Sequence, residues 1–308
     1  MPDLSPSDTT RSDGGLRVVT LNVGSLLEPD WRNRRHEIAS WLDHLDPDVV
    51  CLQEVWESAE RANTGRWIAE HSATDWHVEV GVRPFGAVVH PDPSVLFGSA
   101  ILSRWPIDSS HYEPLEIDSR FGDEFLEAIP WELLHVRTAG LDIGSVHLAP
   151  APTQGVHRRQ QVLQIDRYFR SVRGSADAIP VPGTLRDAMP AILCGDFNAE
   201  PDSDEIRFLC SLAPLDDQST FWQDAWRMAG EGPGYTQDWR SNPIADATNI
   251  PRKRIDYVFV GDPYQRRQAA GRVLSAEIAF NDSRTGVIAS DHFGLVVEIV
   301  WPDRPPMP

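Results

Sequence analysis

Short runs rich in Val, Ile and Leu recur along the chain, each closed by turn residues, and helix-like stripes fall between them. LRVVTLNV (16–23), PDVVCLQEV (47–55), GSAILSR (98–104), LDIGSVHL (141–148), AILCGDF (191–197), RIDYVFV (254–260) and FGLVVEIVW (293–301) carry the signature of β-strands. DWHVEVGV (75–82) and WELLHVRTA (131–139) add two more. Within 32–46, Ile38, Trp41, Leu42 and Leu45 recur at i, i+3, i+4 and i+7, which predicts an amphipathic helix. Val162, Ile165, Phe169 and Val172 form a comparable stripe over 156–172. A weaker helix is expected over 57–71, and a short one after Pro201, where an Asp/Ser cluster precedes IRFLCSL. Residues 105–130 and 173–190 are expected to be long loops.

This alternation predicts an α/β fold in one large domain over residues 16–302, between a polar, disordered tail (1–15) and a short C-terminal tail (303–308). A chain of 308 residues buries enough surface to fold without a disulfide or structural metal. Cys51, Cys194 and Cys210 cannot all pair with one another, and buried reduced thiols are expected. With 41% hydrophobic and 24% charged residues, the composition excludes a largely disordered, collagen-like or coiled-coil chain. No segment approaches the roughly 18 uninterrupted apolar residues of a membrane span. The first fifteen residues lack the apolar stretch of a signal peptide, so a cytoplasmic location is the expectation.

Charge changes the picture of partners. The formal net charge is −18, from 46 acids against 28 bases, and Lys253 is the only lysine. A field of that sign repels polyanions and disfavours nucleic acid, although a local basic strip can override it.

The chemistry gathers where the apolar runs end. Asn22 closes the first; Gln53 and Glu54 close the second; His147, then Asp196 and Asn198, close two later ones. Asp256 lies in RIDYVFV, and Ser290, Asp291 and His292 open the last. Short acids, amides and histidines bind hard cations, orient water and move protons. Residues two apart on a strand share a face, so Val18, Thr20 and Asn22 share one, as do Asp196 and Asn198. Each residue alone has a structural reading, such as a turn former, a helix N-terminal acid or a core histidine. All of those readings would have to hold together to leave no site. Cys/His spacings for zinc are absent, as are a Walker loop, G-x-G-x-x-G and G-x-S-x-G. Carboxylate and amide oxygens point instead to Mg²⁺, with Mn²⁺ as a substitute.

The ordered set LNV, LQEV, AILSRWPI, VHL, GDFNAEP, RIDYVFV and SDHFGL resembles the endonuclease/exonuclease/phosphatase superfamily of deoxyribonuclease I-like phosphoesterases. The resemblance implies a four-layer αββα sandwich of two mixed sheets. It implies Glu54 as the principal metal ligand, helped by Asn22 and Asp291, with Gln53 supporting the shell around Glu54. His292 would face the scissile phosphate with Asp256 as its partner, Asp196 would orient or deprotonate water, and Asn198 and His147 would bind phosphate oxygens. Arg104 is a candidate for reaching phosphate or for pinning the following loop. Where some members carry an acid two residues after the strand-one asparagine, this chain has Gly24; where GNAILSR is usual, it has Ser99. Tyr112 is expected at the surface or in a loop, and Arg158 and Arg159 on a solvated helix face.

The implied activity is Mg²⁺-dependent phosphate-ester hydrolysis, on a diester or monoester of a small or lipid-derived molecule. DNA or RNA cleavage is the alternative, and a non-catalytic binding module on the same fold is the third possibility. Specificity would reside in the loops over the rim, the acidic 105–130 and the 225–253 segment with Trp226, Tyr235, Trp239, Arg240, Arg252 and Lys253.

Overall fold

The computed structural model describes residues 15–26, 28–122, 124–173, 188–245, 251–261 and 266–307. The polar N-terminal tail and most of the expected 173–190 loop lie outside them. In chain order the elements are β1 (Gly15–Asn22), α1 (Trp31–Leu45), β2 (Val49–Glu57), α2 (Thr64–Glu70), β3 (His77–Pro84), β4 (Leu96–Ser103), β5 (Ile107–Pro114), α3 (Glu124–Glu127) and β6 (Glu132–Thr138). There follow β7 (Leu141–His147), α4 (Gly155–Arg173), β8 (Ile192–Asp196), α5 (Asp204–Leu209), β9 (Trp222–Asp224), α6 (Ala225–Ala229), β10 (Asp256–Gly261), β11 (Val273–Ala279) and β12 (Gly294–Val300).

The strands form two six-stranded mixed sheets, ordered β11-β12-β1-β2-β4-β3 and β5-β6-β7-β8-β10-β9. Strand alternation builds the layers. In β1, Val18 faces the second sheet in one core cluster, whereas Val19 and Leu21 face Ile38, Trp41 and Leu42 of α1 and Ile68 of α2. In the second sheet, Leu134 and Val136 face inward, whereas Leu133, Val146 and Leu193 pack outward on Val162, Ile165 and Phe169 of α4. The result is helix, sheet, sheet, helix, in agreement with the sandwich that the motifs imply.

Several local expectations change. The segment 105–130 contains β5 and α3, so it is not one long loop. β5 is an edge strand with most of its side chains exposed, and its polar sequence IDSSHYEP hides its pairing with β6. The 57–71 helix is confined to α2, capped by Asn63, whose side chain accepts from the Gly65 and Arg66 amides. Past residue 302 the chain is tied back at two points: Arg304 reaches Asp48 at 2.6 Å and Trp105 Nε1 donates to the Pro306 carbonyl. Cys51 and Cys194 are buried free thiols, and Cys210 is half-buried.

Two pairings position the site. β1 and β2 are parallel, with Asn22 opposite Gln53, so their C-terminal ends coincide. In the other sheet, His147 pairs with Asp196 on one side and Asp256 pairs with Asp196 on the other. Registered neighbours on adjacent strands point to the same face, so these three side chains stand in one row.

Candidate active site

Glu54 owes its position to a β-bulge. Leu52 pairs with Ala100 and Val55 with Gly98, so Gln53 and Glu54 together oppose Ser99 alone. Glu54 takes the extra place in the left-handed region, at φ 57°. The bulge re-aims its side chain toward the rim of the sandwich. Gln53 turns inward instead, donating to Ser145 at 2.9 Å across the two sheets and lying 3.3 Å from the Thr20 hydroxyl. It therefore ties the sheets together and does not line the shell around Glu54.

At the rim, Asn22 Nδ2 donates to Glu54 Oε1 at 3.0 Å and to Asp196 Oδ2 at 3.1 Å. Its Oδ1 accepts the Gly24 amide at 3.0 Å, which fixes the orientation of the side-chain amide. As placed, Asn22 bridges two carboxylates from different sheets; its nitrogen, and not its oxygen, faces them. In that orientation Asn22 offers a donor to the two carboxylates, while its oxygen is taken by the Gly24 amide.

His147 Nε2 lies 3.8 Å from both Glu54 Oε1 and Asp196 Oδ2, with Trp131 packed edge-on against its ring at 5.4 Å. Burial outweighs the pull of Asp196 and holds its pKa below the ordinary histidine value, so it is neutral. His292 Nδ1 meets Asp256 Oδ2 at 2.9 Å, and its Nε2 lies 3.9 Å from Asp196 Oδ2 and from Asp291 Oδ2. Burial alone would lower His292, but Asp256, Asp291 and Asp196 override it and hold the imidazolium well above its ordinary range. Asp196 is itself pushed up by burial and by the Asp256 charge. Asn198, at φ 50°, donates its amide N–H to Asp196 Oδ1 at 2.8 Å and its Nδ2 to the Leu148 carbonyl at 3.0 Å.

Asp291 and Glu54 face one another electrostatically. Burial, then Asp291, pushes the Glu54 carboxyl up to about 7. A buried carboxyl whose ionisation is opposed by a second carboxylate, both offering oxygen donors, fits a hard divalent cation, which removes that cost. A second group, Asp196, Asp256 and His292, brings one potential ligand atom from each within 4.8 Å of the others. Asp256 and His292 are already engaged with each other there, which suits proton chemistry better than a metal cage. Gly24 has no room for the acid that some superfamily members carry. A Cβ there would stand 2.9 Å from Asp291 Oδ1 and from Glu28 Cγ, and φ is +52°.

Arg104 is not part of this rim. It follows β4, whose last residue pairs with the first of β2, at the opposite end of the sheet. Its guanidinium is held by the Pro47 carbonyl at 2.6 Å and by Asp46, which corrects the phosphate-binding expectation in favour of loop pinning. Arg158 is buried, correcting the solvated-face expectation. It binds Glu205 at 2.6 Å and the Ala149 and Ala151 carbonyls at 2.9 and 2.7 Å, fixing the chain just after His147. Tyr112 is half-buried on β5, under Arg83 at 3.9 Å.

Three supporting residues carry no sequence signal strong enough to single them out. Asn242 donates to the Ser290 and Asp291 carbonyls at 2.8 and 2.9 Å, and Thr236 Oγ1 accepts the Asp256 amide at 3.2 Å. Arg34 binds the Val23, Gly24 and Ala289 carbonyls at 2.8, 2.9 and 2.9 Å. The one available hint was the place of Arg34 four residues before Ile38 on the buried stripe of α1.

Against known proteins, residues 19–292 match the family described as Endonuclease/Exonuclease/phosphatase family. The chain belongs to that family. This family member is 26% identical over 192 residues to Protein angel homolog 2 of Danio rerio, a match covering 58% of this chain and 30% of that protein. The chain therefore spans less than a third of the length of that relative. Its fold superposes on D. rerio TDP2 complexed with single strand DNA product at a TM-score of 0.64, with 18% identity and coverage of 93% and 99% of the two chains. The human Nocturnin catalytic domain with bound sulfate gives 0.63 at 19% identity, covering 93% of each chain. An endonuclease/exonuclease/phosphatase from Beutenbergia cavernae gives 0.64 at 22% identity, covering 93% of this chain and 72% of that one. Among the described residues, no helix is long and apolar enough to cross a membrane.

Proposed function

We propose that this family member is a divalent-metal-dependent phosphoesterase that hydrolyses a phosphate ester by in-line attack of water. The observation supporting this is the convergence on a single carboxylate, Asp196, of Asn22, which also holds Glu54, with His147, His292 and the registered neighbour Asp256.

Glu54 and Asp291 would hold Mg²⁺ or Mn²⁺, which when bound supplies positive charge to a phosphoryl oxygen. The remaining roles belong to the chain. Asp196, its basicity raised by burial and by Asp256, takes the proton of the attacking water. Asp256 accepts the Nδ1 proton of His292, which directs the Nε2–H of the imidazolium into the rim as a donor to the phosphoryl group. Neutral His147 and the Asn198 amide add hydrogen bonds as charge builds on phosphate oxygens.

Nucleic acid as substrate is the second reading, despite the net charge of −18. It is favoured by the likeness to a TDP2 structure complexed with a single strand DNA product.

The test is a panel containing a bis-aryl diester, an aryl monoester, plasmid DNA, RNA, sphingomyelin and inositol phosphates, each with Mg²⁺, with Mn²⁺ and with EDTA. Metal-dependent turnover that disappears in His292→Ala supports the assignment. Turnover that survives both EDTA and His292→Ala would sink it.

A further inference from the structure

Two charged residues of α1, Arg34 and Glu37, are buried at 1% and 0% exposure, and among the described residues neither forms an ion pair. Both are spent on loops. Arg34 gives every one of its N–H groups to a backbone carbonyl: Nε to Pro29 at 2.7 Å, Nη1 to Val23 and Ala289 at 2.8 and 2.9 Å, Nη2 to Gly24 and Glu28 at 2.9 and 3.2 Å. Glu37 Oε1 accepts the Arg284 amide at 2.6 Å, and its Oε2 accepts the Thr285 amide at 2.5 Å and the Thr285 hydroxyl at 2.6 Å.

These bonds meet the chain where it enters the rim. Val23 and Gly24 follow Asn22, and Ala289 precedes Ser290, Asp291 and His292. Arg34 therefore joins the loop that leaves Asn22 to the loop that delivers Asp291. Ser290 Oγ closes the same seam, donating to the Asn22 carbonyl at 2.6 Å. Arg284 and Thr285 belong to the stretch 281–286, which is exposed throughout and leads into Ala289. Its side chains lie outside the core, yet a fully buried carboxylate holds its backbone. Trp41, on the same face of α1 as Arg34, adds a bond from Nε1 to the Asp282 carbonyl at 3.2 Å.

A buried charge without a counter-ion is costly, and apolar side chains would fill both places at lower cost. What the charges add is position, because charge-assisted hydrogen bonds fix the backbone they meet. We propose that Arg34 and Glu37 are positioning residues for the cation site: together they set where the Asp291 carboxylate and the His292 imidazole stand relative to Glu54 and Asn22. This rests on the phosphoesterase reading above and adds to it two residues that touch neither metal nor substrate.

The test begins without substrate. Mn²⁺ binding to the chelator-treated chain is read by electron paramagnetic resonance in the wild type, Arg34→Lys, Glu37→Gln and Glu37→Ala. Lysine keeps the charge of Arg34 and loses its planar fork, so that variant isolates geometry from charge. Glutamine keeps the shape of Glu37 and one of its oxygens. Arg104→Ala, altered at the opposite end of the sheet, is the control for a general loss of stability. Affinity about tenfold weaker is expected in Arg34→Lys and Glu37→Ala, with Glu37→Gln between them and the wild type and Arg104→Ala unchanged. Amide hydrogen exchange over 281–292 should quicken in the same two variants. Affinity unchanged in either, an equal loss in Arg104→Ala, or no Mn²⁺ binding by the wild type overturns the proposal. If Arg34→Lys does not fold, the two Glu37 variants, which alter a tether to an exposed stretch, decide it. On an ester that the wild type hydrolyses, kcat should fall about tenfold in Glu37→Ala with KM within about twofold. Weakened Mn²⁺ binding in a chain that hydrolyses no ester would sink the phosphoesterase reading alone. Ester hydrolysis with metal affinity and kcat indifferent to Arg34 and Glu37 would sink this one alone.

Discussion

Asp256 faces His292 across 2.9 Å while its own strand register sets it opposite Asp196. One carboxylate thus holds a histidine in its charged form and raises the basicity of its neighbour. Asp256→Asn should remove both effects and lower kcat by roughly 10²–10⁴-fold, as His292→Ala should. Steady-state kinetics on the best panel substrate checks this, with circular dichroism as the folding control. A double variant no worse than either single one would show that the two residues act as a unit.

Metal binding should be visible without any substrate. Relief of the Glu54–Asp291 opposition makes the cation a ligand of the folded state alone, so Mg²⁺ should raise Tm. Differential scanning fluorimetry of chelator-treated protein should show a rise of several degrees, absent in Glu54→Gln. An equal rise in that variant would move the metal elsewhere.

Arg104 gives the opposite prediction. Its bonds to Asp46 and the Pro47 carbonyl lie at the far end of β2 from Glu54. Arg104→Ala should lower Tm by a few degrees and leave KM and kcat within about twofold. A tenfold rise in KM would restore a substrate contact.

Glu132 couples stability to pH. It is 1% exposed, opposite His147 in the β6–β7 register, and neither carboxylate oxygen has a well-formed hydrogen bond. Burial raises its pKa well above the ordinary value, and Ser99, Arg83 and Tyr112 offset only part of that. The folded state therefore prefers the protonated acid. Its favourable contribution is complete below about pH 4.5, the unfolded value, and is lost as pH rises toward the folded one. Glu132→Gln should be more stable than the wild type at pH 8, by ~2–4 °C in Tm for each kcal/mol recovered, and indistinguishable from it near pH 4. Melting curves across that range check the sign.

The strands that carry Asn22, His147, Asp196 and Asp256 were legible because each is a buried apolar run broken by one polar residue at its end. Strands β5 and β11 were not. Both lie at sheet edges, where half of the side chains meet water and the apolar pattern thins. The identities at the rim were readable from motif order. Their relations were not: that Asn22 bridges, that Gln53 turns inward and that Glu54 sits in a bulge are set by register and by one left-handed φ. Arg158 and Arg34 were hidden for another reason. A buried arginine that binds carbonyls has no signature apart from the backbone it meets, and that backbone is distant in sequence.

Asn22 spans from Glu54 to Asp196, and Gln53 from β2 to Ser145, so the rim is written half on each sheet. Neither sheet alone holds a working set of groups. The proposed hydrolysis would then be a gauge of whether the sandwich is closed. A slight parting of the two layers would disperse the proposed catalytic set while leaving every strand and helix in place. Loss of activity on mild heating or in low denaturant should accordingly precede loss of secondary structure.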